Sequence, residues 1–382
     1  MKKNTEKKNS RVRKIIKFSA LVLASVIILP IIVLIIGRGV TNVRLRLPGG
    51  VREKGYIKLG GVDQYINIRG ADDTNPVIIF LHGGGGGTTY ITPFQQMVEA
   101  DYTFIYWSQR DGGITYAKSP DAEIPFECYI SDLDELVDYA TRRFNQPIIL
   151  VGHSGGSRVG TLYAKAHPDK IAGFIGIGQV AEVDFIERVK FDVSSASSVA
   201  RETGNEQDVT KLEELLVVWQ DYVKDHQMGV PITDADMLEK LDELEPFLFK
   251  HFPDDPAKMD NTIQGLMSPD FGWDSLRWEL ALRGINLGVD IDKYYDKLES
   301  SVEDYSLLEP PDNLDIPVVI INGSDDMYTP AVFAQEYFER LTAPKKELFI
   351  IQGAGHFPME EVDYMEVFAE TLKKALTIVL AQ

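Results

Sequence analysis

Pro147-Ile-Ile-Leu-Val151 runs directly into Gly152-His-Ser154-Gly-Gly156, and the chain then continues Ser157-Arg-Val-Gly-Thr-Leu-Tyr-Ala-Lys-Ala166. The short unbroken apolar run suits a strand buried on both faces. The segment behind it has helical spacing over Ser157 to Ala166. Between the two sits G-x-S-x-G. A serine held on so sharp a turn has a strained backbone close to its neighbours, so its flanks must be small. The helix that follows points its N-terminal amides at a spot where attack on a carbonyl would develop negative charge. This context predicts Ser154 as a nucleophile, where the pattern alone describes any glycine-rich turn.

The same rhythm repeats outward from the turn. Pro76-Val-Ile-Ile-Phe-Leu81 and Tyr102-Thr-Phe-Ile-Tyr-Trp107 are apolar runs of strand length, and the first ends in the glycine tract Gly83 to Gly87. Tyr129 to Phe144 has helical spacing, and Ile171 to Ile177 reads as another strand. Near the end come strand Ile316 to Asn322, a helix from about Pro330 to Leu341, strand Leu348 to Gln352 and a helix from Asp363 to Leu380. Two alternating runs around Gly60-Gly61 predict a β-hairpin ahead of them. Strands alternating with helices predict an α/β fold with a mostly parallel central sheet and helices on both faces. From 182 to 312 strand signal is nearly absent and the sequence is acidic and helical, which predicts an inserted helical lid. Residues 48–181 and 313–382 then form the core.

The net charge of -19 is unevenly spread. Residues 1–46 hold eleven Lys or Arg against Glu6 alone, so the body is far more acidic than the total suggests. Such a body does not suit a nucleic-acid partner, which needs cations for the phosphates. Cys128 is the only cysteine, which excludes an intrachain disulfide and a cysteine-based metal site. Phe18 to Gly37 has no charged residue. At ~1.5 Å per residue it matches a hydrocarbon core of about 30 Å, so it is expected to be one transmembrane helix. The basic tail 1–17 then predicts a cytoplasmic N-terminus, a single-pass cell-membrane protein and an extracellular catalytic domain.

A serine hydroxyl needs a general base that is itself oriented by a carboxylate. With the serine on a strand-to-helix elbow, the chain order is Ser, Asp or Glu, then His. Of six histidines, His356 in Gly353-Ala-Gly-His-Phe-Pro358 follows the last strand, where the base is expected. His153 neighbours the serine and cannot easily turn back to it. Asp325 and Asp326 both follow the preceding strand, and spacing does not separate them. Oxyanion donors are expected from the amide of Gly155 and from the loop His82-Gly-Gly84. A phosphate-binding reading of that loop lacks the Lys-Ser/Thr of a P-loop and the G-x-G-x-x-G helix start.

Taken in order, LHGGGGG (81–87), WSQRDGG (107–113), GHSGGS (152–157), NGSDDMYTP (322–330) and GAGHFP (353–358) resemble the proline iminopeptidase branch of the α/β-hydrolases. The resemblance spans about Val51 to Leu380. It implies an α/β-hydrolase fold, Asp326 as the acid of a Ser154–Asp326–His356 triad, and Gly84 and Gly155 as oxyanion donors. It also implies substrate recognition by carboxylates on the lid, where Glu243 and Glu245 lie. The chain departs from the family pattern at three places. Gly85 replaces a proline, Ser108 and Asp111 replace the Asp and Gly of DQRG, and Gly155 stands where tryptophan is common. Trp219, Trp273 and Trp278 of the lid are further substrate-cleft candidates.

The expected activity is therefore a membrane-anchored serine hydrolase, an aminopeptidase that removes an N-terminal residue from short peptides. A carboxylesterase or lipase with the same triad is the alternative, and a non-catalytic binding protein on this fold is a third reading. No metal or organic cofactor is implied, and the partner is a small peptide or ester substrate.

Overall fold

The computed structural model describes residues 25, 28–47, 49–84, 93–181, 185–225, 234–251, 265–306 and 312–381. Eight strands form one sheet: β1 (Val51–Leu59), β2 (Val62–Gly70), β3 (Val77–Leu81), β4 (Thr103–Trp107), β5 (Ile148–His153), β6 (Gly173–Ile177), β7 (Val318–Gly323) and β8 (Lys346–Ile351). Their spatial order is β1-β2-β4-β3-β5-β6-β7-β8. β1 and β2 form an antiparallel hairpin whose turn residues Gly60 and Gly61 have φ of 51° and 78°. Two consecutive positive φ values are what a type I′ turn demands, and glycine supplies them without steric cost. β2 also runs antiparallel to β4, and every later pairing is parallel.

Alternation along the central strands divides the core in two. Val77, Ile79, Leu81, Ile105, Trp107 and Leu150 face one side, packed with helices Phe126–Phe144, Gly155–Ala166 and Ala331–Arg340. Ile78, Phe104, Tyr106, Ile149, Val151 and Ile175 face the other, packed with helices Pro93–Val98 and Met365–Leu380. Both faces are buried, so these strands read as continuous apolar runs rather than alternating ones. Each fully buried aliphatic side chain contributes roughly 1.5–3 kcal/mol. Helix Phe126–Phe144 begins three residues before the apolar spacing indicated. Pro125 is its N-cap, with φ -63° and ψ 151°, and Phe126 is already buried in the core.

The sheet also sets where a ligand can sit. From β3 the chain moves outward to β4, then returns to place β5 on the opposite side of β3. The crevice beyond the carboxyl ends of β3 and β5 is thus a topological switch point, where open α/β sheets bind ligands. Between β6 and β7 the described residues contain only helices in this unit. Phe185–Glu202, Glu206–Asp225 and Ala235–Lys250 share an apolar cluster of their own. Trp273–Ala281 and Ile291–Ser306 pack instead with the short helix Gly113–Lys118.

A second compact unit comprises Met1–Arg46 and Asp260–Gly272. Within it residues 28–44 are helical, and Arg38 Nε donates to the Leu266 carbonyl at 2.9 Å. Among the described residues no helix is long and apolar enough to cross a membrane. This overturns the expected single-pass membrane placement, with its cytoplasmic N-terminus and extracellular catalytic domain. The described charge-free part of this helix, residues 28–37, spans about 15 Å, half of what a bilayer core requires. Residues 1–24, 26 and 27, which include the basic tail and the start of the expected anchor, lie outside the described residues.

Candidate active site

β5 delivers Ser154 to the switch point and helix Gly155–Ala166 carries the chain away. Ser154 adopts φ 52° and ψ -124°, a region that side-chain-bearing residues rarely occupy. The turn is pinned by its backbone: Ser154 N donates to Ile177 O at 2.9 Å, and Ser154 O accepts from Ser157 N at 2.8 Å and from Ser157 Oγ at 2.6 Å. A Cβ on Gly152 would lie 2.4 Å from Gly156 O, and one on Gly156 would lie 2.3 Å from Leu81 O. Larger residues at either flank would therefore break the packing that holds the serine out.

Asp326 and His356 meet at the ends of β7 and β8. His356 Nδ1 lies 2.8 Å from Asp326 Oδ2, with both residues buried. An ionised carboxylate only accepts, so Nδ1 carries the proton and Nε2 presents a lone pair, the form a general base needs. The carboxylate is held from three more sides. Tyr328 N and Thr329 N donate to Oδ1 at 2.9 and 2.7 Å, and Thr329 Oγ1 donates to Oδ2 at 2.8 Å. Asp325 is exposed instead and accepts from Ser324 Oγ at 2.7 Å. Burial separates the two neighbours that spacing left equivalent.

A hydrogen bond ties this pair to the elbow, and a close approach of Gly178 leaves room for the imidazole. His153 Nε2 donates to the main-chain carbonyl of His356 at 2.8 Å, so the residue before the serine holds the loop that carries the imidazole. Gly178, directly after β6, has φ 53°, and a Cβ there would be 3.1 Å from His356 Cε1. His153 was set aside at the sequence level as unable to reach the serine. The structure gives it a positioning task on the other side, and Thr329 has one that sequence spacing did not indicate.

The glycine loop lies beside the serine because Leu81 pairs with Gly152 across β3 and β5. A Cβ on Gly83 would fall 3.4 Å from Ser154 Oγ, and one on Gly155 would fall 2.9 Å from Gly84 N. His82 is locked: Nδ1 donates to Gly83 O at 2.8 Å and Nε2 accepts from Gln109 N at 3.0 Å. Gln109 Nε2 returns a bond to His82 O at 3.0 Å. Arg110 turns away from the loop and forms a two-pronged pair with Asp132, at 2.5 Å from Nε and 2.9 Å from Nη2. Residues 85–87 of the glycine tract lie outside the described residues.

A cavity of about 50 Å³ opens against Gly84 and Gly155, with Asp111, Phe126, Val159 and Leu298 among its walls. The lid tryptophans stand elsewhere. Trp278 is 3% exposed and packs with Tyr116 and Tyr294, Trp273 is 63% exposed, and Trp219 belongs to the cluster of the first three lid helices. Glu243 is exposed and paired with Lys211 at 3.3 Å. Glu245 is half-buried, and burial, with the charge of Asp242 second, raises its pKa. Among the described residues no group of three or more His, Cys, Asp or Glu side chains is placed to hold a metal ion.

Residues 78–371 match the Alpha/beta hydrolase family. The chain belongs to that family. Among curated relatives of this alpha/beta hydrolase, a probable aminopeptidase of Bacillus subtilis (strain 168), YbaC, is 23% identical over 329 residues, covering 83% of this chain and 94% of the relative. A proline iminopeptidase of Saccharolobus solfataricus is 23% identical over 134 residues, 35% of this chain and 43% of that one. A crystal structure of a proline iminopeptidase-related protein from Thermus thermophilus superposes with a TM-score of 0.51 at 18% identity, covering 86% of this chain and 99% of the other. At that identity the likeness carries the fold alone. The hydrolase sheet and the proline iminopeptidase resemblance expected from the motifs are both found.

Proposed function

We propose that this alpha/beta hydrolase is a serine hydrolase working through an acyl-enzyme, and that its substrates are short peptides from which it releases the N-terminal residue. The observation that carries the first part is the buried Asp326–His356 pair, whose loop is hydrogen-bonded by His153, the residue before a serine held at φ 52°. In the proposed reaction Ser154 Oγ attacks the carbonyl carbon and its proton passes to His356 Nε2. The amides of Gly84 and Gly155 receive the oxyanion, and Asp326 stabilises the charged imidazole. Collapse of the tetrahedral adduct breaks the C–N bond, and His356 returns the proton to the departing amine. Water then attacks the ester, giving its proton to His356, and the serine is regenerated with release of the acid.

The aminopeptidase assignment is supported by the relative named as an aminopeptidase that matches along 94% of its own length. Two measurements test the two parts. A fluorophosphonate probe is expected to label the wild type and not Ser154→Ala, and equal labelling of both would remove Ser154 from the mechanism. Turnover of an amino-acid arylamide is expected alongside that of a short p-nitrophenyl ester. Ester turnover with no arylamide turnover would replace the peptidase reading with a carboxylesterase one.

A further inference from the structure

The acyl-transfer steps leave Asp111 without a task. It follows β4 within Ser108-Gln-Arg-Asp-Gly-Gly113, is 2% exposed, and lines the same cavity as Gly84 and Gly155. Its Oδ1 is fully buried with no hydrogen-bond partner among the described residues. The adjacent cation does not serve it, because Arg110 is committed to Asp132 and to the carbonyls of Gly60 and Glu123. His82, also at the cavity, has both ring nitrogens occupied as a neutral imidazole. Asp111 is thus the one carboxylate among the described residues that line the cavity.

The position is also rigid. Tyr294 donates its hydroxyl to the Asp111 main-chain carbonyl at 3.1 Å, and burial, then the charge of Asp111, pushes that phenol well above its ordinary pKa. A Cβ on Gly112 would lie 2.3 Å from Ser108 Oγ, and one on Gly113 would lie 2.4 Å from Trp278 Nε1. The loop is therefore clamped on both sides and cannot carry the carboxylate out to water. A buried carboxylate without a partner is costly, and native structures keep such a group where a ligand completes it.

We infer that Asp111 is the anchor for the α-ammonium group of the substrate, with Phe126, Val159 and Leu298 forming an apolar wall for the side chain of the N-terminal residue. This rests on the aminopeptidase reading and deepens it. The ammonium sits on the carbon next to the scissile carbonyl, so its anchor must share one cavity with the oxyanion donors, as Asp111 does. The lid acids Glu243 and Glu245 are not among the residues that line that cavity. An uncharged acyl group would leave the carboxylate unpaired, so the same residue rejects acyl chains that lack an amine.

The test compares phenylalanine methyl ester with 3-phenylpropanoate methyl ester, which differ in the ammonium alone, at about pH 6, where the amine is protonated. The ratio of their kcat/KM values is expected to fall about thirty-fold or more in Asp111→Asn, with most of the change in KM. An unchanged ratio would overturn the anchor. Turnover of both esters by the wild type without cleavage of phenylalanine 4-nitroanilide would remove the peptidase reading instead, and the ester ratio would still judge Asp111. Should Asp111→Asn fail to fold, the wild type decides through inhibition of the 3-phenylpropanoate ester. Phenethylammonium is expected to inhibit at least about ten-fold more strongly than 2-phenylethanol, and equal inhibition would refute the proposal.

Discussion

His153 donates from Nε2 to the main-chain carbonyl of His356 at 2.8 Å, so the residue preceding the candidate nucleophile supports the loop of the candidate base. A carbonyl only accepts, which places the proton on Nε2 of a neutral ring. Burial enforces that state: desolvation, and then the neighbouring His356, lowers the His153 pKa from 6.5 to about 3.

The shift has a pH consequence. Between about pH 3 and 6.5 the unfolded chain binds a proton at His153 that the folded chain does not. Stability from this group is therefore present above pH 6.5 and is lost as pH falls toward 3, at roughly 1.4 kcal/mol per unit. Replacing His153 by Gln keeps an N–H donor but removes the titration. Urea unfolding at pH 6.5 and 4.5 is expected to show a loss about 2 kcal/mol smaller in His153→Gln than in the wild type. Equal losses would mean that the ring is not held neutral.

Asp325 and Asp326 are adjacent yet make an unequal pair. Asp326→Asn places an amide against His356 Nδ1 and favours the wrong tautomer, so kcat on an ester substrate is expected to fall by about 10⁴-fold. Asp325→Asn changes an exposed side chain that accepts from the Ser324 hydroxyl, and its kcat is expected to stay within about two-fold. Comparable losses in the two variants would reverse the assignment of the acid.

These two aspartates also mark where sequence reading stops. The elbow was legible because its requirements are local: small residues beside the serine, an apolar strand before it, a helix after it. His356 was legible from chain order. The choice of Asp326 came only with the family resemblance, because solvent exposure of either neighbour is decided by the turn that Thr329 closes. Asp111 looked like a departure from a motif, and its exposure of 2% comes with tertiary packing that brings Tyr294, far along the chain, onto its main-chain carbonyl. The lid tryptophans misled for the opposite reason. Large aromatic residues in a helical insertion serve its own packing as readily as a cleft, and Trp278 fills the space above Gly113.

The Gln109-Arg110 dipeptide divides into two tasks. Gln109 holds the glycine loop, while Arg110 joins Gly60 of the hairpin, Glu123 and Asp132 of helix Phe126–Phe144. Asp132 is fully buried and also accepts from Gln64 Nε2. Arg110→Ala leaves that carboxylate charged and short of its cation, and is expected to destabilise the fold by about 3–5 kcal/mol in urea titration. Replacing both members, Arg110→Met with Asp132→Leu, is expected to recover part of that loss, because no charge is then left buried alone.

The last prediction concerns the strain at Ser154 itself. A residue with a Cβ at φ 52° and ψ -124° costs of order 1–3 kcal/mol, whereas glycine occupies that region freely. Ser154→Ala and Ser154→Gly both remove the hydroxyl and both are expected to be inactive, so activity does not distinguish them. Stability does. Glycine relieves the strain but loses roughly 0.5–1 kcal/mol through the greater freedom of its unfolded chain. The net expectation is that Ser154→Gly is more stable than Ser154→Ala by about 1 kcal/mol, read from urea midpoints at equal slope. The reverse order would mean that the surrounding glycines leave the turn relaxed. The expected order would mean that the fold spends stability to hold its serine outward, a cost retained at sites where a side chain must face a substrate rather than its own backbone.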